Sequence, residues 1–277
     1  MADVQPAIAP TAEQVLPEQS RGTNDAPAEG EGVLTSEMIA EFKRRMETLV
    51  TEDDTPLDNL FSAKQQRLLV DSLYASWQHP TFGKRFLADA NVGVYYRLEQ
   101  GAVVVPDCFV SVGVTPIADL WSKAGRSYMV WMYGKPPDVV VEVVSNREGG
   151  ELGEKLAVYE WMRVLYYVVY DPQRLLVEDG LRVYENTAKG FRALQEGWME
   201  AVGLGVQTWQ GTYEGVEAVW LRWCDASGNV LLTGEERAEA AERALEDARR
   251  ALEAERQRAE RLAARLRALG IDPEASA

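Results

Sequence analysis

With 277 residues, 46% of them hydrophobic, the chain can bury one substantial core of about 150 to 200 residues and still carry accessory segments. Its net charge of −15 argues against a generic nucleic-acid coat, because affinity for phosphate comes mainly from Lys and Arg, although a local basic groove stays open. One histidine and two cysteines exclude Ser-His-Asp, Cys-His and His-rich metal chemistry, a disulfide framework and a Cys-based zinc site, so any chemistry must run on carboxylates and lysines.

Residues 1–33, with Pro6, Pro10, Pro17 and Pro27 among Ala, Glu and Thr, read as a disordered acidic arm. Met1 to Leu34 has neither the basic start nor the apolar stretch of a signal peptide, and no run of about 18 apolar residues follows, which predicts a cytoplasmic protein with no membrane partner. The main domain is expected over 34–232. Gln66, Val70, Leu73 and Trp77 share one side of a helix that should pack on a sheet. His79, followed by Pro80, reads as a loop residue. The β-rich runs "VGVYYRL" and "VVVPDCFVSV" flank Glu99-Gln100-Gly101-Ala102 and predict a hairpin. A loop from Ala118 to Lys135 leads to "PDVVVEVVS" (Pro137 to Ser145), an apolar, β-branched strand of the kind buried on both faces. "GELGEKLAVYEWMRV" reads as a helix and "LYYVVY" as another buried strand. The order helix, strand, strand, strand, helix, strand makes this an α/β (α+β) domain. "LLVE" and "LRVYEN" around Asp179-Gly180 predict a hairpin, Lys189-Gly190 another turn, and Trp209 to Trp223 the far edge of the same domain.

Residues 233–277 differ in kind. Thr233 and Glu236 fit a capping box, and the helix beyond carries Ala238, Leu245, Leu252, Ala259 and Leu266 every seven residues, with Ala241, Ala248, Glu255, Leu262 and Leu269 three places later. This is an a/d seam with one flaw, Glu255, and it predicts a coiled-coil homodimer; a solitary charged helix is the other reading. Gly270 and Pro273 supply a stop.

A carboxylate inside the valine strand demands a partner. Side chains alternate along a strand, so Asp138, Val140, Glu142 and Val144 share one face, and at about 3.3 Å per residue Asp138 and Glu142 are too far apart to hold one small ion. Asp107, a second acid in an apolar β-run, is expected on the adjoining strand. Two acids over a hydrophobic sheet repel each other and lose hydration unless a cation is shared, and oxygen-only ligation suits Mg²⁺ or Mn²⁺. On the next helix Leu152, Lys155, Leu156 and Tyr159 fall at i, i+3, i+4 and i+7, placing Lys155 in the inward stripe; a surface pair with Glu151, or a lysine snorkelling to the rim, is the plainer alternative.

"VVVPD" at 103–107, "PDVVVEVVS" at 137–145, "GEKLAVYEWMRVLYYVVYDP" at 153–172 and the later "VWLRWCDASGNVLLTGEERA" running into "LRALGIDPE" resemble the Uma-two family, restriction-endonuclease-like proteins of the PD-(D/E)XK superfamily. The resemblance spans roughly Leu60 to Pro273. It implies a restriction-endonuclease-like αβββαβ core with added β-hairpins and a C-terminal coiled-coil-like helix, and a Mg²⁺-dependent endonuclease acting on DNA. It further implies Asp107 and Glu142 as metal ligands and Lys155 as the catalytic lysine. The superfamily lysine two places after the acid is replaced by Val144, so Lys155 fills that role from the helix; Gln66 can approach the same site. Lys123, Arg126, Lys135 and Arg147 are candidate phosphate contacts on flanking loops. A non-catalytic interaction protein with a retained nuclease fold is the alternative, and a structural carboxylate-lysine network without metal is a third reading.

Overall fold

The computed structural model of the chain describes residues 35–47, 59–145 and 150–269, so the expected N-terminal arm, Arg147 and the Gly270 and Pro273 stop lie outside the described residues. The chain divides into two compact units, Met1–Leu231 and Leu232–Ala277.

In the first unit, α1 (Ser36–Glu47) and α2 (Leu60–Ser76) precede β1 (Phe86–Asp89), β2 (Val94–Tyr95), β3 (Val103–Val104), β4 (Cys108–Val112), β5 (Tyr128–Met129) and α3 (Val130–Tyr133). There follow β6 (Val139–Val143), α4 (Glu154–Trp161), β7 (Tyr166–Tyr170), β8 (Leu181–Thr187), β9 (Gly190–Ala193), β10 (Trp198–Met199), β11 (Leu204–Tyr213) and β12 (Val216–Cys224). A six-stranded sheet runs β1-β4-β6-β7-β8-β9. Its one parallel pair is β6 with β7, joined through α4 as a parallel crossover requires. The α2-β1-β4-β6-α4-β7 sequence is the αβββαβ core of a restriction-endonuclease-like fold.

The valine run does what alternation predicts. Val139, Val141 and Val143 join a core with Leu69 and Leu73 of α2, whereas Val140 and Val144 join a second core with Tyr159, Met162 and Val164 on the α4 side. Both faces are covered, so β6 has no polar face to offer water.

Three strand expectations change. The first core strand is β1, whose four residues are too short to show a period, and it pairs antiparallel with β4. The hairpin between "VGVYYRL" and the following run exists, but β2 and β3 belong to a separate three-stranded sheet with β5. Pro106, lacking an N–H, lies between β3 and β4 and divides the second run. "LLVE" is a loop because the Asp171 carboxylate accepts the Leu176 and Val177 N–H groups at 2.6 and 2.9 Å, competing with any ladder. The Trp209 to Trp223 stretch forms the β11–β12 hairpin, whose turn places Glu214 and Gly215 at φ 44° and 73°, the positive values of a type I′ turn. With β10 it makes its own sheet, and Leu204, Leu221 and Trp223 enter the α2 core.

The second unit is α5 (Gly234–Ala268), a single helix of 35 residues. Thr233 Oγ1 accepts the Glu236 N–H at 3.2 Å, and Glu236 Oε2 accepts the Thr233 N–H at 2.7 Å, completing the capping box. No α5 residue is buried, and Leu245, Leu252, Leu262 and Leu269 are exposed.

Candidate active site

Glu142 sits on the central strand β6, between β4 and β7, and is 1% exposed. Its face of the sheet is covered by α4, which supplies both of its side-chain partners. Lys155 Nζ donates to Oε2 at 2.9 Å and the Tyr159 hydroxyl donates to Oε1 at 2.6 Å. Lys155 and Tyr159 are one helical turn apart, so both reach the same carboxylate. The lysine expected on the inward stripe is therefore inward, bonded to Glu142 and only 3.8 Å from Glu151 Oε1, rather than in a surface pair. Leu152, assigned to the same stripe, lies in the turn before the helix.

β4 pairs with β6 through Cys108↔Val141, Phe109↔Val140 and Val110↔Val139. Asp107 immediately precedes β4, beside the Glu142 end of β6, and its charge bears on the Glu142 carboxyl. The Asp107 carboxylate is fixed from two sides: Val143 N–H donates to Oδ2 at 2.7 Å, and Gln66 Nε2 of α2 donates to Oδ1 at 2.7 Å. Four elements thus meet at one end of the β4–β6 pair.

Electrostatics follow from the burial. Loss of hydration pushes the Glu142 carboxyl up from 4.5 to about 8; the Lys155 charge opposes this, and the Asp107 charge adds to it. Burial also works against the Lys155 ammonium, but the charges of Glu142, Glu151 and Asp107 and the bond to Glu142 outweigh it and hold it above the ordinary lysine value. Burial and the adjacent Glu142 raise Tyr159 well above a normal phenol, so it stays a donor. When ionised, Glu142, Asp107 and Glu151 bring three carboxylates to bear on one ammonium, a crowding of negative charge that a divalent cation would relieve.

The donors fit such an ion. Oxygen-only ligands from a pair of carboxylates suit Mg²⁺ or Mn²⁺, which keep several waters and need few protein ligands. No group of three or more His, Cys, Asp or Glu side chains able to hold a metal occurs among the described residues, so the pair and solvent would have to suffice.

Other candidates fall elsewhere. Asp138 accepts the Val112 N–H at 2.7 Å and the Lys135 ammonium at 2.5 Å, at the opposite end of the β4–β6 pair. Lys135 is therefore spent on a structural acid, and Lys123 donates to the Glu47 carbonyl of α1. His79 is a loop residue: its Nδ1 accepts the Thr81 and Phe82 N–H groups at 3.0 and 3.2 Å. Two residues named along the chain only as neighbours of Lys155 take part directly. The role of Tyr159 was foreshadowed by its i+4 spacing from Lys155, whereas Glu151, 4% exposed with its carbonyl accepting the Tyr167 hydroxyl at 2.8 Å, gave no signal of burial.

No helix among the described residues is long and apolar enough to cross a membrane, and a search of curated proteins finds no match. A family model, Uma2, described as "Putative restriction endonuclease", matches residues 52–213. The match takes in every element that builds the site, stops at the end of β11, and leaves the later "VWLRWCDASGNVLLTGEERA" stretch outside it. The αβββαβ core and this match over more than half of the chain lead to one conclusion: the protein belongs to the Uma2 family.

Proposed function

We propose that this chain hydrolyses DNA phosphodiester bonds as a Mg²⁺- or Mn²⁺-dependent endonuclease, with Asp107 and Glu142 as metal ligands and Lys155 as the catalytic cation. The observation that carries this reading is the buried Glu142, acted on by the Asp107 charge and bonded to Lys155. A bound divalent ion supplies a lowered water pKa and compensation for charge developing on phosphoryl oxygens. The protein's own groups prepare the place. Gln66 and the Val143 N–H orient the Asp107 oxygens, Tyr159 fixes one Glu142 oxygen, and the Lys155 side chain, 33% exposed, can touch a phosphate from the solvent side.

A homodimer belongs to the same reading, because cutting both strands of a duplex calls for two sites and pairing through α5 would provide them. The interaction-module alternative rests on that same exposed seam. A cleavage assay on plasmid and single-stranded DNA with Mn²⁺ separates the two. Wild type should cut, while Glu142→Ala and Lys155→Ala should be slower by about 10²-fold or more. Equal cleavage by all three would remove these residues from the chemistry, and no Mg²⁺ or Mn²⁺ binding by calorimetry would favour the interaction module.

A further inference from the structure

We propose that Glu151 is a positioning residue for Lys155, taking over the ammonium when Glu142 engages a divalent cation. This rests on the metal reading above and assigns Glu151 a role within it. Glu151 is 4% exposed, yet its Oε2 is buried with no hydrogen-bond partner, and its Oε1 is 3.8 Å from Lys155 Nζ. A buried carboxylate oxygen left unpaired is costly. In the present arrangement nothing offsets that cost fully, because the ammonium leans towards Glu142 at 2.9 Å.

The backbone around Glu151 is held firmly. Its carbonyl is tied to β7 through the Tyr167 hydroxyl at 2.8 Å, while the Gly150 carbonyl accepts the N–H groups of Gly153 and Lys155 at 3.0 and 3.1 Å. Lys155, four residues on, stands between two acids carried by different elements. Moving from one to the other needs only side-chain rotation. A cation on Glu142 would compete for the oxygen that Lys155 now uses and would repel the ammonium. Among the described residues, Glu142 of β6, Asp107 beside β4 and Glu151 before α4 are the titratable groups whose charges act on Lys155, with Tyr159 bonded to the same Glu142 carboxylate. Of these, Glu151 alone combines a free oxygen with proximity to the ammonium.

The test uses the full chain and Glu151→Gln, which keeps shape and removes charge, with Glu151→Asp as the charge-conserving control. In ¹⁵N-lysine-labelled protein the Lys155 ammonium is one of seven lysine signals, assigned by its loss in Lys155→Arg. In wild type it should stay visible and shift on adding Mg²⁺; in Glu151→Gln it should be present without Mg²⁺ and vanish through water exchange once Mg²⁺ is added. Cleavage by Glu151→Gln should show kcat lowered by about 10²-fold with KM and Mg²⁺ affinity nearly unchanged, and Glu151→Asp should recover most of it. Identical ammonium behaviour in wild type and Glu151→Gln would overturn the proposal, as would a loss of Mg²⁺ affinity as large as that of Glu142→Gln, which would make Glu151 a ligand. If wild type itself neither binds Mg²⁺ nor shifts the signal, the metal reading falls and the hand-over with it, an outcome distinct from a wild type that binds and a variant that matches it.

Discussion

Glu142 carries an ionisation whose consequences can be measured without any substrate. Its carboxyl moves from 4.5 to about 8 on folding, so the folded chain holds a proton that the unfolded chain has released. The stabilising share of that proton is complete below about 4.5 and is lost as pH rises through about 8. In chelator, the thermal midpoint of wild type should therefore fall relative to Glu142→Gln between about pH 5 and pH 9, and the variant should overtake it at the alkaline end. Parallel profiles with a constant offset would mean that Glu142 stays ionised throughout. Under the proposed metal-dependent reading, binding would show the same linkage from the other side. An ion on Glu142 must displace the proton, so Mg²⁺ affinity should increase up to about pH 8 and binding should release protons, visible as a buffer-dependent heat in calorimetry. Tyr159→Phe removes the donor to Oε1 and should cost about 1–3 kcal/mol in urea unfolding.

Among the elements, α5 has the clearest independent test. From Glu235 to Leu269 it carries nine acids and nine arginines with no lysine, so neither a polyanion nor a membrane surface is matched by its charge. Several of these charges pair along the helix, as in Arg258 with Glu255 at 2.8 Å and Arg256 with Glu260 at 3.2 Å, but all are solvent-exposed and add only tenths of a kcal/mol each. Such pairs cannot explain leucines at heptad spacing left open to water. A second copy would cover them, and in a parallel pair Arg237 would face Glu242 of the other chain at the first g–e position. Leu252→Asp with Leu266→Asp should convert a dimer to a monomer in light scattering while the helical signal largely survives. An unchanged mass would show that α5 does not pair copies.

Across the whole first unit, α2 links the site to the second sheet. On one turn Gln66 reaches Asp107, and the adjacent Gln65, fully buried, donates to the Leu221 carbonyl at 2.8 Å and accepts the Leu221 N–H at 2.9 Å. β12 is an edge strand of its sheet, and this amide satisfies backbone groups that another strand would otherwise take. Gln65→Met should leave both groups buried and unpaired, lowering stability by about 2–4 kcal/mol in urea unfolding. A loss below about 0.5 kcal/mol would mean that β12 finds other partners. The overall charge of −15 also makes any DNA contact local, so binding should weaken steeply with salt only if a basic rim engages phosphates.

Much of this was legible along the chain because it is written in local spacing. Alternation placed Glu142 among valines, an i+4 pattern turned Lys155 inward, and Thr233 with Glu236 announced the start of α5. The short β1, the division at Pro106 and the loop held by Asp171 were not legible, since four residues show no period and a side-chain acceptor can displace a ladder that propensity favours. Register was decided only in three dimensions: the sequence named Asp107 and Glu142 as candidates, but the antiparallel pairing of β4 with β6 brought the residue preceding β4 to the Glu142 end of β6. The burial of Glu151 and the reach of Gln66 across from α2 were settled there too. They depend on contacts between residues far apart in the chain, and a side chain's surroundings exist only once the distant elements have packed.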